Sequence, residues 1–73
     1  MFSMKIFAER LKRLRHDKNV KQYQVAEVLK VTRTQISDLE NGKCTTTIEK
    51  MWLLADYFDV SVDYLIGRSD EPK

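Results

Sequence analysis

Arg33, Thr34, Ser37 and Asp38 lie close enough in sequence that a helix would present all four on one side. Together they offer donors and acceptors suited to the edges of base pairs. An Arg guanidinium can give two parallel N–H bonds to guanine O6 and N7, a Thr can meet a base edge or a thymine methyl, and an Asp can accept from the cytosine amino group. Because a carboxylate only accepts, Asp38 excludes guanine O6 at its own position. Only the major groove of B-DNA shows a distinct pattern for each base pair, and its width admits an α-helix. The same four residues also suit the solvated face of a surface helix, and periodicity alone does not separate the two readings.

The flanking residues are those needed to hold such a face outward. Ile36 and Leu39 are three apart on the opposite side, a narrow apolar stripe that must meet a core. Thr32 precedes Gln35 by three, a capping-box spacing that fixes the helix start. Gly42, after Glu40-Asn41, can take the left-handed conformation that ends it. Upstream, Val25, Ala26 and Leu29 form a second stripe in a short helix opening at Gln22. Residues 22–41 thus read as two short helices joined by a tight turn, the helix-turn-helix layout.

Residues 11–67 resemble the Cro/CI-type, or XRE-type, helix-turn-helix family of small bacterial and phage regulators. The resemblance rests on Gln22, Ala26, Val31-Thr32, Ile36, Leu39-Glu40-Asn41-Gly42-Lys43, Leu54-Ala55 and Val60-Ser61-Val62-Asp63-Tyr64-Leu65-Ile66-Gly67. Several spaced motifs are far more specific than one dipeptide. The resemblance implies an all-α, compact five-helix fold of the lambda repressor type. It implies base contacts from Arg33, Thr34 and Asp38, with Ser37 on the same face. Gln22, Gln35, Asn41 and Lys43 are assigned to phosphate, where contacts set register and read no sequence. Arg15 and Glu40 match an ion pair that is structural: it locks the first helix onto the third, and losing one partner would strand a charge. Two departures stand out. Lys30 occupies the turn position where the family most often has Gly, so a left-handed backbone there carries a penalty. Lys21 replaces the usual Ser or Thr before the second helix, removing a cap worth about 1 kcal/mol, with nearby phosphate as compensation.

Helical spacing covers most of the remainder. Phe7, Leu11 and Leu14 predict a supporting helix over 5–17, with Arg10, Lys12, Arg13 and Arg15 among its other positions. Ile48, Met51, Trp52, Ala55 and Phe58 predict a core-facing stripe on a fourth helix, opened by Thr46 or Thr47, with Glu49 in capping-box position to Thr46. Ser61 caps a last short helix through Ile66, closed by Gly67. Residues 68–73 form a polar tail expected to fray. Leu53 and Tyr57, four apart, fall outside the core stripe; with Tyr64 and Ile66 they mark an apolar patch through which two copies would pair. The apolar Met1-Phe2-Ser3-Met4 lacks the basic residues of a minor-groove arm and is expected to pack on the domain or a partner, or to be disordered.

Seventy-three residues, 42% hydrophobic, predict one small domain, residues 1–73, with a modest core and no second domain. Residues 1–43 carry ten basic and five acidic side chains, residues 44–73 three and six, so the net +2 is split into a basic and an acidic half. That asymmetry suits directional docking on double-stranded DNA rather than a nonspecific coat. The lone Cys44 rules out an intrachain disulfide and is expected to be an incidental loop thiol. No apolar run spans a bilayer and no signal-peptide pattern is present, pointing to the cytoplasm with no membrane partner. His16, the single histidine, lacks a ligand or nucleophile constellation, so no catalytic residue, metal or cofactor is expected. The sequence reads as a homodimeric repressor on a palindromic operator. The competing reading, an antitoxin or adaptor whose main task is holding another protein, shares the fold.

Overall fold

The computed structural model describes residues 2–73, which form α1 (Met4–Asp17), α2 (Gln22–Leu29), α3 (Arg33–Glu40), α4 (Ile48–Phe58) and α5 (Val62–Leu65), with no strand among them. Each of α1, α3, α4 and α5 starts on a hydroxyl: Ser3, Thr32, Thr47 and Ser61 accept from the backbone N–H three residues on. These bonds satisfy donors that no helical carbonyl reaches. α1 therefore opens at Met4, one residue earlier than its stripe suggests. On α4 the cap is Thr47 bonding the Lys50 N–H at 3.2 Å, not a box between Thr46 and Glu49.

All five helices end alike. Asn19, Lys30, Gly42, Asp59 and Gly67 each take positive φ. In each case the left-handed residue and its successor donate back across the last turn, as in Gly42 N–H to Leu39 carbonyl at 3.2 Å and Lys43 N–H to Asp38 carbonyl at 2.9 Å. This paired closure satisfies terminal carbonyls and reverses the chain sharply. Only two of the five left-handed residues are glycine. Behind Asn19, Lys30 and Asp59 stand Val20, Val31 and Val60, each packed against the core, and that contact offsets the steric penalty.

The core joins Phe7, Leu11 and Leu14 of α1, Val25, Ala26 and Leu29 of α2, Ile36 and Leu39 of α3, Met51, Leu54, Ala55 and Phe58 of α4, and Leu65 of α5. α3 is held between α1 and α2, while α4 packs on α2 and α5, and α5 returns to α1. One part of the expected core is corrected: Ile48 is 88% and Trp52 63% exposed, whereas Leu54 is fully buried. Each residue turns the helix by about 100°, so Trp52, one past Met51, leaves the Met51-Leu54-Ala55-Phe58 stripe, and Ile48 sits at the open first position.

The tail is also corrected. Pro72 carbonyl accepts from Ser61 N–H, and Lys73 pairs with Asp59 at 2.7 Å. Arg10 reaches from α1 to the Tyr64 and Ser69 carbonyls and to Asp70, its guanidinium lying 4.4 Å from the Tyr64 ring centre. Residues 68–73 are thereby folded back onto the domain. Phe2 lies beside Ile6 and Ile66, while the apolar start at Met1 falls outside the described residues.

Candidate nucleic-acid interface

α3 is fixed in orientation by a buried ion pair. Arg15 Nε lies 2.6 Å from Glu40 Oε2, and its Nη2 donates to Oε1 at 3.0 Å. The two side chains keep only 11% and 3% of their surface. Arg15 also bonds the Val20 carbonyl, and Gln22 donates its amide to Glu40 at 3.3 Å. One carboxylate thus ties together α1, the loop after it, the start of α2 and the end of α3, through two-pronged charge-assisted bonds that fix both distance and plane. The expected Arg15–Glu40 pair is present. Gln22, assigned to phosphate, spends one amide hydrogen on this network and keeps one for an outside acceptor.

With α3 so held, Arg33, Thr34 and Gln35 are exposed in its first turn, while Ser37 and Asp38 are half-buried further along. Ser37 accepts from the Asn41 amide at 3.4 Å. Asn41 and Lys43 are exposed at the far end of the same helix. The reading candidates therefore occupy one surface, with Arg33 and Thr34 at its prow.

Beside Arg33 the structure adds a groove that sequence reasoning identifies only in part. Arg15, Lys21, Gln22, Tyr23 and Arg33 line a concavity of about 550 Å³ where the starts of α2 and α3 meet. Its charged groups are all basic. Lys21 supplies no side-chain cap, although Gln24 closes half of a capping box by accepting from the Lys21 N–H at 2.8 Å. The Gln24 N–H donates to the Lys21 carbonyl at 3.1 Å, which leaves the Gln22 and Tyr23 N–H groups open to an oxygen acceptor from outside. Tyr23, 55% exposed, escapes sequence reasoning because a lone Tyr on a helix surface carries no spacing signal. A groove of this kind suits a phosphate, combining cationic side chains, an uncapped helix start and a phenolic donor.

The proposed pairing residues separate into different settings. Leu53 and Tyr57 are exposed on one flank of α4, at 37% and 40%. Tyr64 is covered by Arg10, and Ile66 lines a crevice with Phe2, Ile6, Gly67 and Arg68. Ile48 and Trp52 form a second exposed apolar strip on the other flank, with Glu49 and Asp56 between the two. Cys44 is half-buried against the core, and His16 is exposed in the last turn of α1.

These elements can be set against known proteins. A family model described as helix-turn-helix matches residues 11–65. The HTH-type transcriptional activator BcrR of Enterococcus faecalis is 42% identical over 64 residues, which are 88% of this chain and 31% of that protein. The HTH-type transcriptional regulator AnsR of Bacillus subtilis is 32% identical over 63 residues, 86% of this chain and 54% of that protein. The chain therefore spans between about a third and a half of the length of these two curated relatives. A transcriptional regulator from Listeria innocua matches in structure with a TM-score of 0.81 and 39% identity, over 84% of this chain and 57% of that one. The restriction-modification controller protein C.AhdI of Aeromonas hydrophila shares the fold, with a TM-score of 0.76 at 24% identity over 85% of this chain and 94% of that one. With its family-model match over most of its length, an all-α five-helix fold and α2–turn–α3 at its centre, the chain belongs to the XRE-type helix-turn-helix family of DNA-binding transcription regulators.

Proposed function

We propose that this domain reads a specific double-stranded DNA sequence through α3, binds as a homodimer to an inverted repeat, and represses transcription by occupying a promoter. The observation that carries the reading is the placement of Arg33 and Thr34, exposed at the start of a rigidly held helix and flanked by the basic groove of Lys21, Gln22 and Tyr23. In this arrangement the groove, Asn41 and Lys43 grip phosphates while Arg33, Thr34, Ser37 and Asp38 meet base edges. On an inverted repeat the two reading helices of the dimer would enter successive major-groove faces about one DNA turn apart, roughly 34 Å. Occlusion needs nothing beyond occupancy of the site, which is why repression is the mechanism proposed. DNA reading also sets the place of action in the cytoplasm.

A promoter fused to a reporter, with the selected operator placed over it, tests the direction of regulation. The expected result is reporter loss with the wild-type chain and recovery with Arg33→Ala. A rise in reporter output would replace repression by activation, the activity in BcrR's name. A second reading, that the domain mainly holds a protein partner, is favoured by one observation, the exposure of Ile48 and Trp52. If Arg33→Ala leaves cellular activity intact while Trp52→Glu abolishes it, that second reading holds.

A further inference from the structure

We infer that the homodimer is locked by a reciprocal knob and notch, in which Trp52 of each copy enters the crevice formed by Phe2, Ile6 and Ile66 of the other. The inference rests on the homodimer reading and deepens it. The knob is the only tryptophan of the chain, 63% exposed, with Ile48 four residues before it at 88%. An indole left this far in water sacrifices a large apolar area. Leucine, tyrosine or lysine would cover such a position more cheaply unless something receives it.

The notch lies between the start of α1 and the end of α5. Phe2, Ile6, Ile66, Gly67 and Arg68 enclose about 500 Å³, ample for an indole. Phe2 and Ile6 remain 48% and 39% exposed, and Ile66 is half-buried. Gly67 shapes the floor: a Cβ there would come within 2.8 Å of Ile6 Cγ2. The crevice thus has an apolar side formed by Phe2, Ile6 and Ile66 and no occupant among the described residues of its own chain.

Charge supplies the argument for a second copy. On α4 the knob is bordered by Glu49, three residues before Trp52, and Asp56, four after it, so both carboxylates stand on the same side of the helix. The notch is bordered by Arg68. None of these three charges takes part in an ion pair among the described residues. Knob and notch therefore each have an apolar part, and the charges at their edges are opposite in sign. Direct stacking of one α4 face on the other fails by the same criterion, because it would set Glu49 and Asp56 against Asp56 and Glu49. In a two-fold dimer each copy offers both parts, so the contact is made twice and the assembly closes.

Trp52 is its own reporter. Tryptophan emission and acrylamide quenching, followed against protein concentration and beside sedimentation of the same DNA-free samples, give the test. The expected result is a blue shift and loss of quenching that track dimer formation. Arg68→Glu and Asp56→Lys should each weaken the dimer by roughly tenfold or more, and the double exchange Asp56→Lys with Arg68→Glu should restore it, since the charges would again be opposite. All three variants lie at exposed positions, and circular dichroism would show the fold retained. Dimers whose Trp52 stays red-emitting and quenchable, or singly weakened variants that the double exchange leaves weak, would overturn the knob and notch while leaving the homodimer intact. A chain that stays monomeric at every concentration, and binds operator DNA one copy at a time, would overturn both.

Discussion

Glu40 is the residue whose loss the fold should tolerate least. Replacing it by Ala removes both oxygens that receive Arg15 and the acceptor of the Gln22 amide. It leaves a guanidinium with 11% of its surface exposed and the Val20 carbonyl as its remaining partner. Breaking one side of a buried ion pair costs about 3–5 kcal/mol, because the surviving charge has already been taken out of water. At roughly 0.05–0.15 kcal/mol per residue, a domain of 73 residues has a total stability of about 4–11 kcal/mol. Glu40→Ala should therefore remove from about a quarter of it to all of it. Urea unfolding followed by circular dichroism would show this as a lower midpoint at unchanged slope, and in heat as a Tm fall of at least about 12 °C. Replacing both partners together, as Arg15→Met with Glu40→Leu, should cost much less than the two single changes added, since no charge is stranded. A loss under about 1 kcal/mol for Glu40→Ala, as for a surface pair, would refute the claim that this pair fixes α3.

Three further outcomes follow from the backbone and the tail. Lys30→Gly should raise the urea midpoint by an amount equivalent to about 0.5–1 kcal/mol, because Lys30 holds φ at +57°, where a Cβ is penalised and glycine is not; a loss of stability would show that the Lys30 side chain contributes more than its backbone costs. Gly67→Ala should destabilise by about 1–3 kcal/mol in the same assay, since φ is +87° and the new methyl meets Ile6; a neutral result would mean the α5 turn can relax. The Asp59 carboxyl is held below its ordinary value by its hydrogen bond and charge contact with Lys73. Its contribution is thus present above the usual carboxylate range and lost as pH falls through the lowered value. In an NMR titration, Lys73→Ala should raise the Asp59 midpoint toward that of a free Asp, and an unchanged midpoint would show that the contact does not form in solution.

How far the sequence foretells the molecule depends on how local each cause is. The starts of α3 and α5 are legible because Thr32 and Ser61 act within one turn of themselves. So are the core positions of α1 to α3, whose apolar spacings are unambiguous. Arg15 and Glu40 lie 25 residues apart, and only the family resemblance links them. The clasp of Arg10 on Tyr64, Ser69 and Asp70 has no local signal, because in a run of basic residues one engaged side chain looks like its solvated neighbours. Asn19 and Asp59 end helices in the left-handed conformation without glycine, relying on Val20 and Val60 packing behind them. Trp52 misleads because its spacing from Ile48, Ala55 and Met51 permits two overlapping stripes, and only the packing of α2 and α5 on α4 selects the one containing Leu54. The groove at Lys21, Gln22 and Tyr23 exists only once two helix starts converge.

The central claim, that α3 reads base pairs, is tested most directly by selecting a library of randomised duplexes in parallel with the wild-type chain and Arg33→Ala, at two salt concentrations. The account predicts an enriched inverted repeat for the wild type. Arg33→Ala should relax the preference at one position of each half-site and cost about 1–3 kcal/mol, roughly 5- to 150-fold, for each base that the guanidinium no longer reaches. Uniform weak binding that vanishes as salt rises, with the same profile for both proteins, would mean phosphate attraction alone and would contradict it.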